Sequence, residues 1–540
     1  MRRVTGLPLG LLGLGWLAPF PSAQQTLQPV LRERETIIGL GAVQNATEVY
    51  VNNSRMWTAL VDTTAPIEQD LAIVRNGFVT LREGAAFTPP GFRVTGWDSF
   101  YLNNAGDLAM VLKVNSAAVG DTEGLYFNAI PVALRGGAID SPLVPGARWD
   151  DMFSVKLNDK RQLILLCQID NPATPASFES TLARFQLDAG GNVTATEILA
   201  TRGQFVPELG DFLQKVPNSA HGVAINNHGD FIVQVTTLAT LDAILLNMTE
   251  VLAIKGGTAP VPGGIWKTLS NGPRLSINDR GEYVFSGTLE GDTFLIVKNG
   301  EKFAFQGDVL DELSESPLAR GSAAPYYIAN TGDVFWRAET DAGDEAFMRN
   351  HTPIVINGVT TVSGVLVSRV EPSDNAFHVS TDGRFWIGRI ELQNQVGRAL
   401  VMADFGLVLP IPGCTGNAAT LTVESAEPLA GGHLTLAMDQ GQTPGVRPIL
   451  LFSTRARIPG SECGVNTPAG ELLISTSNVI ARLIAPPWNG TPTRFDLPIP
   501  ADPSLIDVKL WIQGYFRDVG GLTPEDFRLT NGLRVEIGAP

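Results

Sequence analysis

Ile277-Asn278-Asp279-Arg280-Gly281-Glu282-Tyr283-Val284-Phe285 is the stretch on which the reading of this chain turns. An apolar strand end meets an Asn that can bond its own backbone, then a glycine free to take positive φ, then a β-branched and aromatic run. Together these describe a β-hairpin element. The phrase recurs at Leu102-Asn103-Asn104-Ala105-Gly106-Asp107-Leu108 and Ile225-Asn226-Asn227-His228-Gly229-Asp230-Phe231. Looser copies are Ile328-Ala329-Asn330-Thr331-Gly332-Asp333-Val334 and Val379-Ser380-Thr381-Asp382-Gly383-Arg384-Phe385. Val51-Asn52-Asn53-Ser54-Arg55-Met56-Trp57 and Leu157-Asn158-Asp159-Lys160-Arg161-Gln162-Leu163 keep the frame without the glycine. Steps between equivalent positions are 51, 55, 68, 52, 51 and 51 residues.

About twenty residues after the phrase a second hairpin is expected, with Asn-Gly at its tip in Asn76-Gly77, Asn299-Gly300 and Asn357-Gly358. Pro-Gly turns at Pro90-Gly91, Pro145-Gly146 and Pro262-Gly263 lead to the next unit. Each unit then holds four short strands, the size of a propeller blade. The expectation is an all-β chain: a seven-bladed β-propeller over residues 30–410, followed by a small β-sandwich over residues 411–540. The stretch Glu35-Thr36-Ile37-Ile38-Gly39-Leu40 is expected to close the ring as a strand of the last blade. The 68-residue step implies an insertion within residues 188–219. A β-solenoid is the rival architecture, but its coils are shorter and need no internal Asn-Gly hairpins.

After Leu409-Pro410-Ile411-Pro412 the frame is lost, and short alternating strands such as Ala419-Thr420-Leu421-Thr422-Val423 and Val508-Lys509-Leu510-Trp511-Ile512-Gln513 suggest the sandwich. Of three cysteines, Cys414 and Cys463 lie in turn-like surroundings and are paired as a disulfide, whereas Cys167 ends an apolar run and reads as a buried strand residue.

The chain has 540 residues, 44% apolar and 17% charged, with 56 glycines and a net charge of -16. That charge supplies no basic excess to displace phosphate counterions, so nucleic acid is excluded as a partner. Residues 1–23 read as an export signal: Met1-Arg2-Arg3, an apolar stretch from Gly6 to Leu17, and small residues Ser22-Ala23 before Gln24. No later stretch is long and apolar enough to span a bilayer. The expectation is a secreted or cell-surface monomer, not inserted in the membrane after signal removal.

No catalytic motif emerges. The histidines His221, His228, His351, His378 and His433 show no ligand spacing, and neither a Gly-x-Ser-x-Gly elbow nor a phosphate-binding Gly-x-x-x-x-Gly-Lys occurs. Asp107, Asp230, Glu282 and Asp333 recur at one repeat position, where a ring would make them an acidic rim for calcium or a cationic group, or plain solvated hairpin residues. Trp57, Phe285, Trp336 and Trp386 follow the turns, as sugar-stacking platforms or as packing between blades. No catalytic, metal or cofactor-binding residue is assigned, and no cofactor is expected.

In the segment Asn278 to Phe285 the chain resembles exported bacterial tandem-repeat proteins that carry an Asn-x-x-Gly-x-x-x-Phe signature, a likeness extending over residues 30–410. That family is defined by its repeat, so the resemblance implies no activity. The phrases Leu497-Pro498-Ile499-Pro500, Asp502-Pro503-Ser504-Leu505, Trp511-Ile512-Gln513-Gly514 and Leu529-Thr530-Asn531-Gly532-Leu533 resemble a C-terminal module of exported proteins from planctomycete-like bacteria. This implies an accessory part in attachment or display. The functional expectation is an exported binding or surface-display protein whose partner is a glycan or cell-surface protein. The alternative is an enzyme acting on extracellular polysaccharide, with carboxylates from several blades meeting at the axis. A third reading is structural packing in an envelope layer.

Overall fold

A computed structural model describes residues 26–540 apart from 89, 174–178, 217–221, 270–274, 320–325, 374, 394–396, 427, 441–444, 460, 462, 519–526 and 540. The expected export signal, residues 1–23, and His221 lie outside the described residues.

Seven antiparallel sheets follow one another along the chain. In the first, strands Gly41–Val51, Trp57–Thr63, Leu71–Arg75 and Phe78–Arg82 pair in sequence order; we letter such strands A to D. The second and third sheets repeat this with inner strands Phe92–Leu102 and Arg148–Leu157. In the remaining four the inner strand is split, as in Asp211–Lys215 and Val223–Ile225. Each sheet is covered on both faces, which is why a strand such as Gln162–Asp170 reads as a continuous apolar run rather than an alternating one.

Packing shows that the sheets form a closed ring. Every adjacent pair shares one buried cluster: Val111 and Leu165 join the second and third sheets, Val284 and Trp336 the fifth and sixth. The last sheet returns to the first, because Phe385, Ile387 and Met402 pack with Val49, Trp57 and Ala59. Strand Gln28–Arg32 adds the outermost strand to the last sheet by pairing with Gly397–Asp404. A ring of four-stranded sheets closed by a strand from the other end of the chain is a β-propeller, in which only the short outer strands remain as sheet edges.

Three expectations need correction. The closing strand is Gln28–Arg32, whereas Thr36–Ile37 pairs with the start of Gly41–Val51 in the first sheet. The extra length expected within residues 188–219 starts earlier and belongs to a longer outer hairpin: strands Glu179–Leu187 and Val193–Thr201 are nine residues each against five for Asp242–Leu246 and Glu250–Ile254, and residues 217–219 lie outside the described residues. Asn357-Gly358 follows strand Thr352–Ile356 and leads to the next sheet; the C–D turn of the sixth sheet is at Asn350 instead.

Among the described residues, the rest of the chain forms two larger sheets around a core of its own, with a two-stranded ribbon, Val465–Thr467 and Gly470–Leu472, beside them. Leu407–Ile411, Phe527–Glu536, Lys509–Arg517, Arg447–Ser453 and Val479–Ile484 make one sheet, in that order. Thr420–Ala426, His433–Asp439 and Thr493–Pro498 make the other. Leu436, Phe495, Leu450 and Ile512 pack between them. Cys414 and Cys463 form a disulfide, and Cys167 is a buried free thiol. Glu471 ties the two ends of this loop together, accepting from the backbone N–H of Cys414 at 2.7 Å and Thr415 at 2.8 Å on one side and of Gly464 at 2.5 Å on the other.

Candidate functional site

Successive positions of the repeated phrase do different work at the ring axis. The first Asn makes a ladder between sheets. Its side-chain oxygen accepts N–H bonds within its own A–B turn, as Asn226 does from His228 and Asp230, both at 2.9 Å. Its side-chain nitrogen donates to the backbone carbonyl at the same position one sheet on: Asn158 to Asn226 at 2.8 Å, Asn226 to Asn278 at 3.0 Å, Asn278 to Ala329 at 2.8 Å. All these Asn residues are buried. A buried amide satisfied on both ends is what fixes one sheet against the next.

The following position closes a ring across the axis. The backbone N–H of Asn53, Asn104, Asp159, Asn227 and Asp279 each donates to the side-chain oxygen of the equivalent residue in the next sheet, at 2.7 to 2.9 Å. Asn330 donates to the carbonyl of Thr381, and Thr381 and Asp382 return to Asn53 at 3.1 Å. Asn104 also reaches Thr381 directly at 2.8 Å, lacing the mouth. Within this ring lie two carboxylates. The Asn227 amide nitrogen is 2.9 Å from Asp159 Oδ2 and 3.0 Å from Asp279 Oδ2, so the two oxygens are less than about 6 Å apart. Each carboxylate accepts three N–H bonds from its neighbours, which fills three of its roughly four lone-pair sites.

The residue just before each phrase faces the axis below this ring: Tyr50, Tyr101, Lys156, Tyr327 and His378 among them. His378 packs 4.8 Å from Tyr50 and 4.8 Å from Tyr327, and its Nδ1 accepts from the Val51 N–H at 3.3 Å. Tyr50 donates to Glu48 at 2.7 Å; burial, and then the Glu48 charge, hold its hydroxyl well above the usual tyrosine range. The Lys156 ammonium lies 5.2 Å from the centre of the Tyr101 ring. The spaces left along this column are cavities of about 80 and 60 Å³. Sites for small organic ligands run to roughly 300–1,000 Å³.

The acidic residues singled out by their repeat position are staples of the hairpins. Asp230 accepts from Asn226 at 3.3 Å and Asn247 at 3.0 Å, Asp107 from Asn128 at 3.1 Å and Arg161 at 3.2 Å, and Asp333 from Asn350 at 2.7 Å. Glu282 bonds Asn278 and Arg280. The partners Asn128, Asn247 and Asn350 occupy the C–D turns in the left-handed region, and each accepts the first N–H of strand B. Trp57, Phe285, Trp336 and Trp386 are buried between sheets. His228, His351 and His433 are exposed, and among the described residues no three of His, Cys, Asp and Glu converge to hold a metal ion.

The two faces of the ring differ. Antiparallel pairing puts A–B and C–D turns on one face and B–C and D–A connections on the other. The C-terminal sheets join the A–B face: Arg384, in the last A–B turn, bonds Asp404, Asp507 and Glu536. The opposite face carries most of the exposed apolar side chains, alongside charged ones such as Glu68 and Glu312. Among the described residues, ten of the twelve large apolar side chains exposed on the ring lie on this face, among them Ile38, Ile67, Val119, Leu143 and Val359; Phe78 and Val193 are the exceptions. At the fourth sheet Phe205 and Phe212, about half exposed, pack with ring centres 5.1 Å apart beside the exposed Leu238.

No protein-family model matches the chain, and no curated protein does either. Among solved structures, BBS1N in complex with ARL6DN is similar with a TM-score of 0.32 and 10% identity, over 71% of this chain and 97% of that one. The WD40 β-propeller domain of Doa1 is similar with a TM-score of 0.29 and 8% identity, over 70% and 97%. Trypanosoma rangeli sialidase is similar with a TM-score of 0.26 and 11% identity, over 96% and 92%.

Proposed function

We propose that this chain is an exported binding protein that holds a protein partner on the propeller face opposite its C-terminal sheets. One observation carries the reading: on that face Phe205, Phe212 and Leu238 stand exposed side by side, where single apolar residues scattered over a surface would need no explanation. Aromatic anchors such as Phe205 and Phe212 suit a protein interface, whose fully buried core is enriched in them. The net charge of -16 disfavours an anionic membrane as the occupant. The disulfide and the export signal expected in residues 1–23 support an extracellular setting.

The test is site-specific photo-crosslinking in intact envelopes, with the photoreactive residue at Phe212 or, as control, at Asn227 in the axial ring. A defined protein adduct from position 212 and none from 227 is expected. A glycan adduct, or an adduct from 227 alone, would overturn the reading.

A second reading, polysaccharide hydrolysis at the axis, is favoured by Asp159 and Asp279 lying with oxygens less than about 6 Å apart, a limit that admits the roughly 5–5.5 Å spacing of retaining glycosidases and rules out the wider inverting one. The three N–H bonds already held by each carboxylate and the small cavities weigh against it. Hydrolysis of any polysaccharide that is lost in both Asp159→Asn and Asp279→Asn would establish it over binding.

A further inference from the structure

We propose that the free edge of strand Val479–Ile484 receives an extended acidic segment of a partner protein as an added β-strand. This strand ends its five-stranded sheet and pairs only with Arg447–Ser453 among the described residues. Its residues Ile480, Leu483 and Ile484 are 58%, 40% and 53% exposed, and Arg482 between them is exposed as well. Most edge strands are short, covered or bent away from solvent. Here four of the six residues, Ile480, Arg482, Leu483 and Ile484, are exposed.

The backbone is aimed outward. The Ala485 N–H donates to the Pro448 carbonyl at 3.1 Å, and the register continues as Ile484 opposite Ile449, Leu483 opposite Leu450 and Arg482 opposite Leu451. Antiparallel pairing alternates, so residues 485 and 483 bond into the sheet while the N–H and C=O of Arg482 and Ile484 point away from it. These groups are a template for strand addition, in which the main chain supplies affinity and alternate side chains supply selectivity.

Charge selects the occupant. Arg447, Arg455, Arg457 and Arg482 are exposed and form no ion pair among the described residues. Arg455 and Arg457 lie beside the segment leading into the strand, through bonds to Ser475 and Leu473, and Arg447 lies near its other end. This basic border stands out in a chain of net charge -16. Pairing of the edge with its own copy would bring these arginines together across a two-fold axis, which like charges oppose. An acidic strand meets no such barrier.

The probe is a seven-residue peptide of alternating Glu and Val, with a Lys-for-Glu peptide as control, titrated into the full chain by fluorescence anisotropy. The acidic peptide is expected to bind at least about tenfold tighter than the basic one and to weaken as salt is added. Arg482→Pro removes an outward donor that the sheet does not use, and should cost at least about tenfold in affinity. Arg482→Glu keeps the backbone and tests the charge if the proline variant does not fold. Hydrogen exchange at Arg482 and Ile484 should slow on binding. Equal binding of both peptides, no binding of the acidic one, full binding by both variants, or concentration-dependent protection of the edge without peptide would overturn the proposal.

Discussion

Replacing Arg384 by Ala should loosen the joint between the ring and the C-terminal sheets more than any other single change. The guanidinium side chain is 6% exposed; Nε and Nη2 bond the two Asp404 oxygens at 2.9 and 3.0 Å, and Nη1 bonds Glu536 at 2.9 Å. Burial disfavours its charge, but Asp404 and Asp507 hold its pKa above the usual arginine range. Truncation strands Asp404 and Glu536, which are 4% and 5% exposed. Breaking a buried pair in this way costs about 3–5 kcal/mol. Glu536 keeps Lys509 at 2.9 Å and Arg534 at 3.2 Å, and Asp404 keeps the Gly406 N–H at 3.0 Å, so we expect the low end of that range. Urea unfolding of Arg384→Ala, Glu536→Gln and the double variant measures the coupling directly. A loss below about 1 kcal/mol, the scale of exposed surface pairs, would refute the reasoning.

Other outcomes follow from the same structure. Gly281→Ala, at φ 76° with open space around it, should cost about 1 kcal/mol from backbone strain alone; Gly383→Ala, at φ 78° with Ala329 and Thr331 atoms 2.9 Å from the new methyl, should cost clearly more in the same urea assay. Removing the Cys414–Cys463 bridge, whose partners are 49 positions apart in the sequence, should destabilise the C-terminal sheets by about 4 kcal/mol on the chain-entropy model, read as a lower melting temperature of Cys414→Ser/Cys463→Ser. Glu123 is pushed up to about 7 by burial, so its contribution is most favourable at low pH and is lost as pH rises from 4.5 to about 7; thermal melts of Glu123→Gln should lack that decline. Glu471 has the opposite sign. Although burial opposes it, N–H bonds from Gly464, Thr415 and Cys414 hold it below the usual range, so its stabilisation is present at neutral pH and fades on acidification, and Glu471→Gln should flatten the acid limb of the melt profile.

The repeated phrase made the β architecture legible because one of its positions must tolerate positive φ and another must bond its own turn. Where Arg55 and Arg161 replace the glycine, they still adopt φ of 60° and 58°, so the local geometry survives loss of the residue that signals it. The closing strand was not legible. Both Gln28–Arg32 and Thr36–Ile37 can form strands, and only pairing with a partner some 370 residues away decides between them. The C–D turns were visible only where glycine follows, at Asn76-Gly77 and Asn299-Gly300; Asn128, Asn247 and Asn350 do the same work before Ala, Met and His. At the axis the residue preceding each phrase is Tyr, Tyr, Lys, Ala, Ser, Tyr or His, so composition hides it and only its register in the repeat reveals it. The exposed apolar residues of one face escaped notice because they are single residues in unrelated connections, gathered only by the alternation of strand direction.

The hydrogen-bonded ring at the axis, which weighs against hydrolysis, can be measured by hydrogen exchange at the backbone N–H of Asn104, Asp159, Asn227 and Asp279, each bonded to a side-chain oxygen of the next sheet. These amides should exchange only through opening as costly as that of the strands beside them. Exchange at the rate of an open turn would show that the ring parts in solution, that the axis admits a substrate, and that the functional assignment must move to Asp159 and Asp279.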